Sequence, residues 1–288
     1  MLHYFFLQFS LPHHFKRCPN YIFSLCFLIV ASLTACSTTK PHPGGLNNYS
    51  KLIWQDEFNQ NGMPDEKKWN YEKGHIRNNE LQYYTEARSE NAIIKNGCLI
   101  ITALNDSAFI DGKIRPITSA SLHTRHKGDW KYGRIEVRAK VPSSLGTWPA
   151  IWMMPSKSVY GGWPKSGEID IMEFVGYDPD RIHFNLHTEK YNHAKGTGRG
   201  TSVKATSPDK KFHVYAVEWF PDRIDWYMDE QKVYTVSNDG EGWESWPVTE
   251  PFYLILNFAF GGAWGGSKGV DISSLPQKYY IDYVRVFQ

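Results

Sequence analysis

The sequence predicts an all-β domain, a sandwich of two sheets, spanning residues 51–288. Three observations carry this expectation. Apolar and polar residues alternate with period two in several separate runs, the pattern of strands rather than helices. An Asn-Gly pair stands between two apolar runs, where it makes the favoured two-residue hairpin turn. Glycine and proline recur between the runs, and no stretch offers a capped, amphipathic helix of three turns. The chain has 288 residues, and no internal repeat or second linker divides it, so one large domain accounts for the length.

In chain order, residues 1–36 stand apart from the rest. Lys16 and Arg17 precede a largely apolar run, Tyr21 to Leu33, of about 13 residues. That is short of the roughly 20 a membrane-spanning helix needs. A basic flank, a short apolar centre and small residues at the end describe a signal peptide. Its last residues, Leu33-Thr34-Ala35-Cys36, resemble a bacterial lipobox. The resemblance implies cleavage before Cys36 and lipidation of its thiol, hence a membrane anchor. The expectation is an exported cell-envelope lipoprotein, in the outer membrane, or a secreted protein if an ordinary signal peptide is cut nearby. Cys18, Cys26 and Cys36 all lie in this leader, and Cys98 alone cannot form an internal disulfide. Residues 37–50 are rich in turn formers and read as a flexible tether.

Within the domain, Asn91 to Lys95, the Asn96-Gly97 turn, then Cys98 to Thr102 read as a hairpin. Gly133 to Val141 alternates without a break, with Arg134, Glu136, Arg138 and Lys140 on one face and Ile135, Val137, Ala139 and Val141 on the other. That is a half-buried strand. Arg223 to Asp229 repeats the pattern with Ile224, Trp226 and Met228, and Phe252 to Phe260 is apolar on both faces except at Asn257. Basic and acidic residues nearly cancel, 32 against 30, for a net charge of +2. Such a balance gives no electrostatic footprint for nucleic acid, and the domain is expected to act as a monomer. The chain's 11 Trp, 17 Tyr and 16 Phe suffice for a core, and leave Trp faces for the apolar faces of sugars.

The most informative segment is Gly167-Glu168-Ile169-Asp170-Ile171-Met172-Glu173-Phe174. On a regular strand Glu168 and Asp170 share one face while Ile169 and Ile171 point to the core. Strict alternation would send Glu173 into that core, where an unpaired carboxylate is very costly. A β-bulge with Met172 as its extra residue returns Glu173 to the face of the other two acids. Three crowded carboxylates raise one another's proton affinity. Glycoside hydrolysis uses that crowding: one carboxylate attacks the anomeric carbon while another, kept protonated, donates to the leaving oxygen.

This segment resembles the signature of glycoside hydrolase family 16, in the version with an extra residue before the second glutamate. Flanking stretches match in order: Trp54 to Phe58, Asn78 to Thr85, Tyr132 to Arg138, Gly146 to Met153, Gly162-Trp163-Pro164, Phe212 to Trp219, Leu256 to Gly262 and Asp282 to Val286. The resemblance implies a β-jelly roll with a concave cleft that cuts β-linked polysaccharide with retention. It implies Glu168 as nucleophile, Glu173 as general acid/base and Asp170 as the residue that modulates the nucleophile. Substrate contacts are expected from Asn79, Trp148, Trp163 and Trp264, and from His187, whose face also carries His183; Trp152 is divided between cleft and core. No cofactor is expected for catalysis. A structural calcium is implied at Glu57, the backbone carbonyl of Gly97 and Asp282, oxygen donors that suit that ion. The bulged signature resembles the laminarinase-like branch, so the expected substrate is β-1,3-glucan, with mixed-linkage β-1,3/1,4-glucan a further candidate. Two other readings stay open: a glucan-binding surface protein without catalysis, and a hydrolase of agar- or porphyran-type galactans.

Overall fold

The computed structural model describes residues 49–288, which all fall within one compact unit. The expected signal peptide, lipobox cysteine and nearly all of the tether lie outside the described residues. Two stacked sheets make up the domain, with two short 3₁₀ turns, His193–Lys195 and Ile272–Ser274, as the helical elements among the described residues.

One sheet runs Gln231–Ser237, Arg223–Met228, His213–Trp219, Gly133–Lys140, Gln277–Phe287, Cys98–Ile110, Lys113–Ser119 and Tyr83–Tyr84 in spatial order, with Leu52–Asp56 and Ala92–Lys95 on its flank. The other runs Arg199–Lys204, Arg181–His187, Glu168–Glu173, Thr147–Pro155, Phe252–Phe260, Ser121–His123 and Asn70–Tyr71. Sequence neighbours repeatedly lie in different sheets, so the chain crosses the sandwich many times. The inner faces interlock in one apolar core. Ile135, Val137 and Ala139 meet Ile151, Met153, Ile169, Leu254 and Leu256 there, with Trp219 and Trp226 among the largest buried groups. The Asn96-Gly97 hairpin forms as expected, both turn residues at positive φ (55° and 75°), the two-residue geometry such a turn requires.

Two expectations need correction. The outer face of Gly133–Lys140 is not solvated at its start, because Arg134 and Glu136 are almost fully buried. Arg134 Nε donates to Glu136 at 3.0 Å, and the guanidinium reaches Glu218 at 3.6 Å and Glu230 at 3.2 Å. Alternation reports which residues share a face, whereas neighbouring strands and loops decide what covers it. Buried charges persist here because each has an opposite partner.

The second correction concerns the bulge. It is present, but the extra residue is Ile171 rather than Met172. Against Thr147–Pro155 the register pairs Met172 with Ile151 and Asp170 with Trp152, which leaves Ile171 unpaired. Ile171 and Met172 both point into the core, and Glu173 rejoins the concave face. Where the ladder is interrupted, Trp226 reaches across from the other sheet and its indole N–H donates to the Asp170 carbonyl at 2.8 Å. The bulge is therefore pinned through the core. Trp226→Phe is expected to cost about 1–3 kcal/mol, the penalty of a buried unsatisfied carbonyl. Thermal unfolding in parallel with glucanase assays checks this. A melting temperature unchanged from the parent would remove the pinning role.

Candidate active site

The concave sheet carries a cleft of about 710 Å³ whose floor is the acidic strand. Strand register explains its contents. His183, Asn185 and His187 lie across from Glu173, Asp170 and Glu168 on the neighbouring strand. On the other side Ala150 faces Glu173 and Trp152 faces Asp170. Ala150, a small side chain, lines the cleft beside Glu173. Entry to the acidic strand is set by Gly167. Its φ of +86° lies where residues with a Cβ are strained, and a Cβ there would meet Pro247 at 3.1 Å.

Each acid has defined neighbours. Glu173 accepts from the Trp148 indole at 3.2 Å through one oxygen and from Asn185 Nδ2 at 3.1 Å through the other. The polar neighbours of Glu168 are the Trp163 indole and the Asp170 carboxyl. Asp170 is buried, and its Oδ2 lies 3.1 Å from His187 Nε2. Burial, then the charge of Asp170, pushes Glu168 up to about 8. Burial, then the charge of Glu168, pushes Glu173 up to about 7. Asp170 is raised well above the usual carboxylate range, by burial and by Glu173. Three carboxylates this close cannot all ionise, so near neutral pH the strip retains protons, and it titrates as a unit.

The aromatic side chains wall both ends. Trp264 stands edge-on to Trp148, ring centroids 5.5 Å apart, and to His183 at 4.9 Å. At the other end the half-exposed Trp163 ring lies 6.1 Å from His187 and 5.3 Å from His193. Trp148, Trp163, His187 and Trp264 thus line the cleft as expected. Asn79 does not. Its neighbour Asn78 lines the cleft instead and donates to Glu80. Both asparagines have positive φ, 57° and 53°, and that tight turn aims only the first inward.

Further residues line the cleft that were not anticipated as site residues, among them Asn185, His193, Asn257 and Arg77. Asn185 sits at even spacing between His183 and His187, so the alternation that paired those two also places it in the cleft. His193 is the last of the three histidines in that region. Asn257 accepts from the Trp152 indole at 2.8 Å and donates to Tyr84 at 2.9 Å; as the lone polar residue of its strand it carried a signal. Arg77 lies 4.9 Å over the Trp152 ring, and no pattern in the sequence marks it. Trp152 resolves as both core and cleft wall, nearly buried yet lining the site.

The candidate calcium donors lie on the other sheet. Pairing of Asp56 with Val284 and of Ile281 with Leu99 brings Glu57, Gly97 and Asp282 to the middle of Gln277–Phe287, where Leu52–Asp56 ends and Cys98–Ile110 begins. Arg285 donates twice to Glu57, at 2.8 and 3.0 Å, and Arg138 donates to Asp282 at 2.6 Å. The oxygen donors fit a hard cation, while the two guanidinium groups offset much of the charge that would hold it tightly.

Known proteins are similar to this chain in both sequence and architecture. The family model described as Glycosyl hydrolases family 16 matches residues 66–285. A β-glucanase from Rhodothermus marinus is 46% identical over 269 residues, covering 90% of this chain and 93% of its own. The crystal structure of the laminarinase from Rhodothermus marinus superposes with a TM-score of 0.79 at 49% identity, covering 83% of this chain and 97% of that one. A mutant of a non-specific endo-β-1,3(4)-glucanase, crystallised with an oligosaccharide at its active site, gives a TM-score of 0.80 at 43% identity, covering 84% and 95%.

Proposed function

The chain belongs to glycosyl hydrolase family 16, and from that premise we propose that it is an endo-acting β-1,3-glucanase working by double displacement, which also cuts mixed-linkage β-1,3/1,4-glucan. The observation that carries the reading is the acidic strip: a bulge brings Glu168 and Glu173 into an aromatic-walled cleft, with Asp170 buried between them. The full-length likeness to β-glucanases and laminarinases supports β-1,3-glucan as the substrate. Likeness to the non-specific endo-β-1,3(4)-glucanase supports the wider linkage range.

In this reaction Glu168 attacks the anomeric carbon as the glycosidic bond breaks, and Glu173 gives its proton to the departing oxygen. The glycosyl ester on Glu168 is then hydrolysed by a water that Glu173 deprotonates. Protein contacts divide the labour. The neighbouring Trp163 indole eases ionisation of Glu168 against its burial, while burial and the charge of Glu168 keep the proton on Glu173 until transfer. Asp170 holds the proton shared with Glu168 and releases the nucleophile as charge develops. Trp148, Trp163 and Trp264 offer ring faces and edges to glucosyl units.

Reducing-sugar release from laminarin, mixed-linkage β-glucan, agarose and porphyran tests the assignment. Release from laminarin is expected first and from mixed-linkage glucan second. No release from either glucan ends the glucanase reading, and release from agarose or porphyran alone moves the chain to the galactan hydrolases.

Further parts of the proposal rest on the sequence. The leader implies export and lipidation at Cys36, which radiolabelled palmitate incorporation, lost in Cys36→Ser, would establish. A monomer is expected by analytical ultracentrifugation. Calcium at Glu57, Gly97 and Asp282 is expected to stabilise the fold modestly. EDTA should lower the melting temperature by a few degrees, and added Ca²⁺ should restore it. An unchanged melt together with no heat on calcium titration rejects that site.

A further inference from the structure

We propose that Glu168, Asp170 and His187 together form a zinc site, and that Zn²⁺ held there excludes the glucan. The register creates this group. Glu168 and Asp170 share a face two residues apart, and His187 is the cross-strand partner of Glu168. One ligand atom from each of the three residues lies within 4.8 Å of the other two.

The separation of His187 and Asp170 suits a small tetrahedral ion, with Glu168 within reach to close on it. Zinc–nitrogen and zinc–oxygen bonds of about 2.0–2.2 Å place neighbouring ligand atoms roughly 3.3–3.5 Å apart. His187 Nε2 and Asp170 Oδ2 are already 3.1 Å apart. Asp170 is 1% exposed, yet its Oδ2 has no hydrogen-bond partner among the described residues. The imidazole touches this oxygen without aiming a proton at it, and an ion between the two would satisfy both. A donor set of one imidazole and two carboxylates selects zinc over calcium or magnesium, which take oxygen alone. Three protein ligands leave a fourth position open to water, as zinc commonly has it. A cation would also relieve the repulsion among crowded carboxylates that protons otherwise relieve.

Binding itself does not depend on what the chain hydrolyses. The functional consequence rests on the reading of Glu168 as nucleophile: a zinc-ligated carboxylate cannot attack an anomeric carbon, so zinc inhibits in competition with substrate.

Isothermal titration of ZnCl₂ into the full chain, near neutral pH, tests the proposal. Zinc taken up elsewhere on the chain is common to parent and variants, so the readout is the difference between them. His187→Gln and Asp170→Asn, each checked for an intact fold by circular dichroism, are expected to remove one bound zinc per chain or weaken it by about tenfold or more. Saturating laminarioligosaccharide should remove the same site from the parent. X-ray absorption at the zinc edge, compared between parent and His187→Gln, should show a loss of imidazole scattering. Unchanged zinc stoichiometry and affinity in both folded variants overturns the site. A chain that binds zinc at these residues but cuts no glucan keeps the site and loses the glucanase reading. One that cuts glucan with the variant binding curves unchanged loses only the site.

Discussion

Glu168→Ser is expected to lower kcat on laminarin by about 10⁴-fold or more, because removing a nucleophile leaves only binding and charge stabilisation. The fold should survive, since the residue is partly exposed on the cleft floor and its backbone pairing with His187 does not need the side chain. Glu173→Ala should act differently. A substrate with a good leaving group needs little acid help to form the glycosyl-enzyme, so that step persists while its hydrolysis slows. Azide separates the two roles. In Glu168→Ser it enters the space the carboxylate left and attacks the anomeric carbon from that face, giving the α-glycosyl azide. In Glu173→Ala it intercepts the glycosyl-enzyme from the opposite face, giving the β-glycosyl azide. Product stereochemistry by proton NMR is the measurement. Full activity in Glu168→Ser, or a β product from it, assigns the nucleophile elsewhere.

Why the acids are legible in the sequence is a matter of cost. A carboxylate at Glu173 in strict alternation has nowhere to go but an apolar core, and that expense demands a bulge. The identity of the unpaired residue is not legible. Ile171 and Met172 are both apolar, both buried, and either satisfies the argument. Only the pairing of Met172 with Ile151 decides between them. The asparagines present the same difficulty in sharper form. Asn78 and Asn79 are identical and adjacent, and a turn with two positive φ values chooses which one faces the cleft.

Strands and hairpin are read from periodicity, a local property. The burial of Arg134 and Glu136 depends on Glu218 and Glu230, contributed from distant parts of the chain. Arg77 likewise becomes a cleft residue only because Trp152 lies beneath it. The zinc-ligating geometry belongs to the same class. The acids and His187 lie on two strands, and their convergence is a fact of register. Metal motifs confined to one segment do not contain it. Sidedness is written locally, whereas contact across strands is set by the pairing of the sheet.

The second large effect arises from the same crowding. Glu168→Gln is expected to abolish turnover and yet to stabilise the fold, in a way that depends on pH. The folded state pushes Glu168 from 4.5 up to about 8. Below pH 4.5 the residue is protonated in both folded and unfolded chains, so Glu and Gln should melt at similar temperatures. As pH rises from there towards 8, the unfolded chain ionises freely while the folded chain holds its proton, and the parent loses stability. Glutamine has no proton to lose and escapes that loss. Cleft water screens part of the effect, so the gain at about pH 8 is expected to be about 1–3 kcal/mol, or several degrees in melting temperature. Activity in the parent should fall over an overlapping range for a related reason. Turnover needs the proton on Glu173 with Glu168 ionised, and the strip titrates as a unit, so kcat declines as pH rises past about 7 and that shared proton is lost. Differential scanning calorimetry of parent and Glu168→Gln across this range is the test. A constant difference in melting temperature, or a Gln variant less stable than the parent at alkaline pH, would mean that the strip is held ionised by its surroundings. The placement of the acids would then have to be revised together with their roles. Stability and catalysis are opposed at this strand: the repulsion that primes the proton for transfer also weakens the fold that holds it.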